Sequence, residues 1–352
     1  MDKVRSSNIE LYRIIAMLAI VAHHFVVNSG LMNEVLVSEP FSAHTMFYYL
    51  FGMWGKTGIN CFVLITGYFM CKSDITLRKF LKLYLQIVFY RFIIWGIFIL
   101  SGRDAFSFVQ AVRYSLPFVR LNKGFTPCFM TFFLFIPFLN ILVRNMSQRQ
   151  HLLLALLLLF VHTGPLYIPG GVVVYNYVSW FVTLFFIASY IRIYGLCKND
   201  SPTFWGVMTL VAVIVAMLSV VIGVYTHRWT YRYVSDSPAI MAVLVSICSF
   251  MFYKNVRVKH SPAINVIASA TFGVLLIHAH SKAMRTWLWR DVVDVVGHYA
   301  TPHNILYACA SVGAIFIVCC LLDLVRQYAI EHPVFKLLDR WLEGIPLYNQ
   351  KV

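Results

Sequence analysis

One arginine and two adjacent histidines, Arg13, His23 and His24, stand inside the apolar run Leu11–Phe25. A histidine can take or give a proton near pH 7, and an arginine is a fixed cation suited to carboxylates and phosphates. On a helix each residue advances by about 100° and about 1.5 Å, so the eleven steps from Arg13 to His24 come to roughly 1100°. The two side chains therefore share a face, roughly 16 Å apart along the axis, while His23 points about 80° away from Arg13. Glu10 lies three residues before Arg13, within reach of an ion pair. Ionisable groups inside a span are costly and face a cavity or a functional path. Proton transfer at His24, with Glu10 and Arg13 on the same stripe, is the chemistry this pattern suggests. The bland readings are a snorkelling arginine and a histidine bonded to a neighbouring helix.

The elements that must position these groups are membrane spans. The chain has 352 residues, 60% of them hydrophobic and 12% charged, with a formal net charge of +15. A soluble domain of this size could not hide so much apolar surface. The apolar residues fall in solid blocks rather than the alternating segments of an outer-membrane barrel, which predicts an all-α polytopic helix bundle. About ten transmembrane helices are expected, near 9–29, 50–70, 80–100, 126–143, 151–163, 177–195, 204–225, 237–253, 263–281 and 304–326. The segment after the fifth, VHTGPLYIPGGVVV, could re-enter the membrane or lie at its surface. Residues 1–330 read as one membrane domain and 331–352 as a tail, with no fused soluble domain expected. In the tail, Val334, Leu337, Leu338, Trp341 and Ile345 share one helical face, as in an interfacial amphipathic helix, although packing on the bundle would use the same pattern.

Lys and Arg in the connections set orientation. With a cytoplasmic N-terminus, seventeen fall on the inner side and ten on the outer, which places both termini inside. The positive charge is thus explained by topology, and no basic stripe suits nucleic acid. The eight cysteines form neither a CxxC pair nor a Cys/His metal spacing, so no metal site is expected.

An arginine, ten residues and a histidine in the first span resembles the signature of the family 3 membrane acyltransferases, with Glu10 in the place of their frequent acidic residue. Further segments resemble that family in the same order. They are GINCFVLITGYFM, with Thr66, Gly67 and Tyr68 at its end; LRKFLKLY, Leu77–Tyr84; FFLFIPFLNILV, followed by Ser147 and Gln150; WFVTLFFIASYIRIY, from Trp180; and TFGVLLIHAH, carrying His278. The third and fourth resemble the branch that includes polysaccharide O-acetyltransferases.

The resemblance implies a bacterial inner-membrane enzyme that moves an acetyl group from acetyl-CoA to a hydroxyl of a cell-surface or lipid-linked saccharide. Succinyl is the second choice of acyl group, and a membrane polysaccharide polymerase or a flippase is the competing class. Arg13, Arg78, Lys79 and Lys82 would hold the CoA phosphates. Lys79 and Lys82 replace the family's arginine pair, so any bidentate grip weakens to point-charge contacts. His24 would be the general base, or would itself take the acyl group. His24 and His278 occupy matching depths in spans of the same direction, so His278 is expected to line the same chamber and orient the acceptor. Tyr68 and Trp180 join it as substrate-binding candidates. His280 is expected to point elsewhere, and His23 to be a structural neighbour. The outer loop 101–126, with Arg103, Arg113, Arg120 and Lys123, and the segment Arg285–Asp291 offer places for the acceptor. Membrane lipid is the remaining expected partner.

Overall fold

The structure is a computed structural model, and it describes residues 6–34, 41–118, 121, 124–173, 175–198 and 200–342. Among the described residues the regular structure is helical, with no strand. The main elements are α1 (Ser7–Asn28), α2 (Ala43–Gly52), α3 (Gly55–Met70), α4 (Leu77–Leu100), α5 (Phe125–Asn145), α6 (Gln148–Thr163) and α7 (Tyr177–Tyr194). They continue with α8 (Pro202–Tyr225), α9 (Ile240–Asn255), α10 (Pro262–Ser269), α11 (Thr271–His278), α12 (Lys282–Thr286), α13 (Asn304–Arg326) and α14 (His332–Leu342).

The helix starts are written in the sequence. Ser42, Thr76, Asn176, Ser201 and Ser261 each accept a hydrogen bond from a first-turn backbone N–H, and Pro202 and Pro262 follow their caps. Ser147 and Gln150 form a reciprocal capping box, which starts α6 three residues before the apolar block at His151.

All ten expected segments contain helix, but they are not ten equal spans. Seven helices among the described residues are long and apolar enough to cross a membrane. An eighth is possible if the pair Pro262–His278 and Lys282–His298, bent by 97°, counts as one. α3 and α9, at 16 residues each, are shorter. The stretch after α6 is a short 3₁₀ turn, Gly164–Tyr167, held outside the helix by Tyr167 stacking on Tyr233.

Hydrogen bonds between helix ends fix the alternation of direction. At the end where α1 begins, called proximal here, Asn8 donates to the carbonyls of Tyr253 and Lys254 at the close of α9. Asn140, in the last turns of α5, donates to the carbonyls of Met70 and Ser73 after α3. At the opposite, distal end, Asn60 near the start of α3 donates to Ser237 O before α9, and Thr163 at the close of α6 donates to Pro238 O. α1 packs against α2, α3, α9, α10, α11 and α13, so its polar residues lie inside the bundle.

The proximal end carries a buried ionic network. Asp323, fully buried on α13, accepts from Tyr90 (2.8 Å), Arg326 (2.8 Å), Gln327 (2.8 Å) and Gln86 (3.3 Å). Arg326 also reaches Glu331 at 2.7 Å, and Lys82 pairs with the same carboxylate at 2.6 Å. Arg326 and Glu331 are five residues apart, and the π-helical turn Gln327–Glu331 gives that spacing one face. Gly273 leaves the room: a Cβ there would sit 2.1 Å from Asp323 Cγ.

α14 continues α13 beyond this turn. Phe335 is buried, Arg78 lies over its ring and forks onto Asp339 at 2.8 and 3.1 Å. The helix is thus docked on α4, while Val334, Leu337 and Trp341 of the expected apolar face stay exposed. Ile345 lies outside the described residues.

Candidate active site

α1 presents Ile20, His23 and His24 to a cavity of about 410 Å³ at the distal end of the bundle. The volume falls within the range of small-molecule sites, about 300–1,000 Å³. The other walls come from the first turn of α3, the middle of α4, the first turn of α5, Tyr177 of α7, and the chain leaving α11. Alternating helix directions bring these ends together, since α1 and α11 run towards the distal end and α3, α5 and α7 start there.

Two imidazoles meet at the wall. His24 Nδ1 lies 2.9 Å from His278 Nε2, and the ring centroids are 5.1 Å apart. The other nitrogen of His278, Nδ1, is 2.6 Å from the carbonyl oxygen of Val274, one turn earlier on α11. His278 is fully buried behind His24, with Trp289 edge-on to it. The shared depth expected for these two residues is therefore found. The expectation that both line the chamber is corrected: His24 reaches the cavity and His278 does not.

The neighbouring histidines depart from expectation in an instructive way. His23 donates from Nδ1 to Gly52 O at 2.6 Å, the structural bond expected of it, yet it also forms part of the cavity wall. Gly55 permits its approach, because a Cβ there would lie 2.2 Å from His23 Cγ. His280 was expected to point away, and instead it lines the cavity, with Nε2 at 3.3 Å from Arg91 O. The expectation assumed a helix through residue 280. α11 stops at His278 and the chain turns, with Ser281 capping α12, so helical phase no longer applies.

Three cations share the cavity: Lys56, Arg91 and Arg285. Lys56 donates to Tyr177 Oη at 2.7 Å, and Arg91 donates to Arg113 O at 3.2 Å and faces the Tyr114 ring. Sequence reasoning missed them as a group. Lys56 reads as loop charge and Arg285 as part of the acceptor segment Arg285–Asp291, while Arg91, in the middle of α4, carries its own signal as an ionisable residue within a span.

The remaining expected site residues lie elsewhere. Arg13 is 3.3 Å from Glu10, an ion pair without full hydrogen-bond geometry, and its guanidinium sits over Phe62. On α1 the cavity reaches no further than Ile20, so it stops short of Arg13. Arg78 and Lys82 are engaged by Asp339 and Glu331, and Lys79 donates to Ser73 Oγ and Asp74 O. Tyr68 and Trp180 are not among the residues that line the cavity. Tyr68 is buried, accepts from Arg192 at 2.7 Å and has that guanidinium over its ring. Trp180 is fully buried and donates to Asn60 Oδ1 at 2.8 Å. Both are buried in the bundle with these bonds already made. Arg120 and Lys123 lie outside the described residues, and among those described no cluster of three His, Cys, Asp or Glu could hold a metal ion.

Searches of curated proteins and of solved structures found no match to this chain. A family model does match: residues 6–324 fit the acyltransferase domain of family 3, a stretch that spans α1 through most of α13 and includes every residue of the cavity. With nearly its whole length covered by that model, the chain belongs to the family 3 acyltransferases and is a multi-pass membrane acyltransferase.

Proposed function

We propose that the protein moves an acetyl group from acetyl-CoA to a hydroxyl of a cell-surface or lipid-linked saccharide, with His24 as the group that takes the hydroxyl proton. The observation that carries this reading is the His24–His278 hydrogen bond at the wall of the cavity. A backbone carbonyl can only accept, so the hydrogen on Nδ1 of His278 points at Val274 O. In the neutral pair the Nε2 of His278 is then an acceptor, and His24 donates to it from Nδ1. His24 Nε2 is left with its lone pair, the atom a general base needs. His278 is a positioning residue in this arrangement, holding tautomer and ring angle as a carboxylate does in a serine hydrolase triad.

The step balances simply. The acceptor oxygen attacks the thioester carbon while its proton passes to His24 Nε2. The carbon–sulfur bond breaks, and the proton returns to the leaving thiolate. The same lone pair would serve a two-stage route through an acyl-histidine. Trapping labelled acetyl on the protein separates the two.

Arg13, Arg78, Lys79 and Lys82 all belong to the proximal end, which the excess of Lys and Arg favours as cytoplasmic. On this reading they hold the CoA phosphates after exchanging their present contacts with Glu10, Asp339, Asp74 and Glu331. A bacterial inner membrane with both termini inside is the setting that fits. Family membership favours this class over a polymerase or a flippase, and succinyl remains the second choice of acyl group.

Purified protein and radiolabelled acetyl-CoA test the proposal. Acetyl-CoA should raise the melting temperature, since a ligand bound only by the folded state stabilises it, and label should pass to a glycan acceptor. No stabilisation and no transfer would overturn it.

A further inference from the structure

Many cations of this protein are matched by a carboxylate, including Arg103 with Asp291 and Arg290 with Glu34. Arg13, Arg78, Lys82, Arg144, Lys254 and Arg326 at the proximal end are each paired with a carboxylate. Lys56, Arg91 and Arg285 are not ion-paired with any described carboxylate, although they are partly buried and share one cavity. The described residues lining that cavity include no Asp or Glu. Three fixed positive charges in a confined space repel one another, and at this depth an unpaired cation is costly.

The backbone adds to the imbalance. The first turn of α3 (Gly55, Lys56) and the first turn of α5 (Phe125, Thr126) both line the cavity, and neither helix has a side chain bonded at its N-cap. Helix N-termini present unpaired N–H groups and a partial positive charge. Side chains and helix ends therefore give the cavity one sign of charge, beside the aromatic residues Tyr90, Phe125 and Tyr177.

We propose that Lys56, Arg91 and Arg285 form an anion site next to His24, and that the acceptor carries a carboxylate or a phosphate which this site holds. The planar guanidinium fork matches either group through paired N–H···O bonds, and Lys56 supplies a point charge. The anion anchors the acceptor sugar so that a hydroxyl reaches His24 Nε2, and it neutralises the cavity on binding. A neutral sugar would leave the three cations uncompensated. The role of the anion as part of an acceptor rests on the acyl-transfer reading above, whereas the anion site itself does not.

The test is direct binding to the full chain in a neutral detergent, read as ligand-induced thermal stabilisation with three matched probes: glucuronate, glucose 1-phosphate and glucose. The anionic probes should bind at least about tenfold more tightly than glucose, as expected for hydrogen bonds to a charged group. That preference should vanish in the double variant Arg91→Gln/Arg285→Gln and persist in Arg144→Gln, whose ion pair lies at the proximal end. Response to glucuronate alone assigns an acidic sugar, and response to glucose 1-phosphate alone assigns a phosphorylated or lipid-phosphate-linked one. Equal binding of all three probes, no binding of either anion, or an undiminished preference in the double variant overturns the proposal. Succinyl-CoA serves as the remaining arm. If its free carboxylate makes it stabilise the protein more than acetyl-CoA in a manner lost in the double variant, and neither sugar anion binds, the site belongs to the donor and the acceptor assignment falls. If the sugar anions bind as expected but no acyl transfer occurs, the anion site stands and the acyltransferase reading is the part that fails.

Discussion

Residues Lys82, Gln86 and Tyr90 run along one face of α4 and join two regions built on opposite principles. At the proximal end, Lys82, Arg326, Glu331 and Asp323 neutralise one another through short bonds, and Asp323 is fully buried. Tyr90 belongs to both regions, donating to Asp323 while lining the cavity. Beyond it, Lys56, Arg91 and Arg285 face an open space with no described carboxylate. Buried charges that answer one another at Asp323 tie α4, α13 and the turn after it together, whereas the three cations clustered in the cavity are matched by no described carboxylate there. The buried Asp323–Arg326 core of the proximal network is therefore read as structure, with the half-exposed Lys82 at its edge free to turn to the donor, and the distal cavity is read as the place of transfer; substitutions in the two should fail in different ways.

The largest structural effect is expected from Asp323→Ala. It strips the buried carboxylate from Arg326, Tyr90, Gln86 and Gln327, and breaking a buried charge network by removing one partner costs about 3–5 kcal/mol. Thermal or denaturant unfolding should show it, and a variant as stable as the parent would remove the structural reading of this network.

His278 should fail by rate. His278→Phe removes the acceptor for His24 Nδ1–H and should lower kcat by roughly 10–100-fold, the usual effect of losing a group that orients a functional one. KM for acetyl-CoA should hardly move. His278→Gln, whose amide oxygen can accept the same hydrogen, should recover part of kcat. Equal loss in both variants would mean that His278 only packs.

Trp180→Phe returns to the core. It leaves Asn60 Oδ1 without its donor at a fully buried site, which costs about 1–3 kcal/mol, while activity per folded molecule should be kept. A selective rise in acceptor KM would restore Trp180 to the substrate site. Arg144→Gln should do least. Its exposed pair with Asp74 is 3.4 Å long, and such pairs contribute no more than ~1 kcal/mol to unfolding stability.

The helices and part of the site could be read along the chain, but the contrast between paired and unpaired charge could not. Helix is observed in every segment where the solid apolar blocks predict it, although 50–70 and 263–281 are each broken in two. The Arg13–His24 stripe and the depth of His278 follow from helical rise alone, and the imidazoles do meet. Failures occur where regular geometry stops. His280 lies two residues past the end of α11, where a helical phase carries no information. Tyr68 and Trp180 looked available as aromatics in motif segments, and only packing shows Arg192 and Asn60 already bonded to them. Lys56, Arg91 and Arg285 come from three distant stretches, so their meeting depends on tertiary arrangement. Arg91 alone, polar in the middle of a span, signalled it.

The most direct test of the account is the acyl-transfer rate of His24→Ala, measured beside its melting temperature and its stabilisation by acetyl-CoA. If the imidazole accepts the acceptor's proton, transfer falls by about 10²–10⁴-fold, the usual contribution of a positioned general base, while folding and donor binding persist. Transfer within a few-fold of the parent by a well-folded His24→Ala protein would contradict the assignment of His24 to the chemistry.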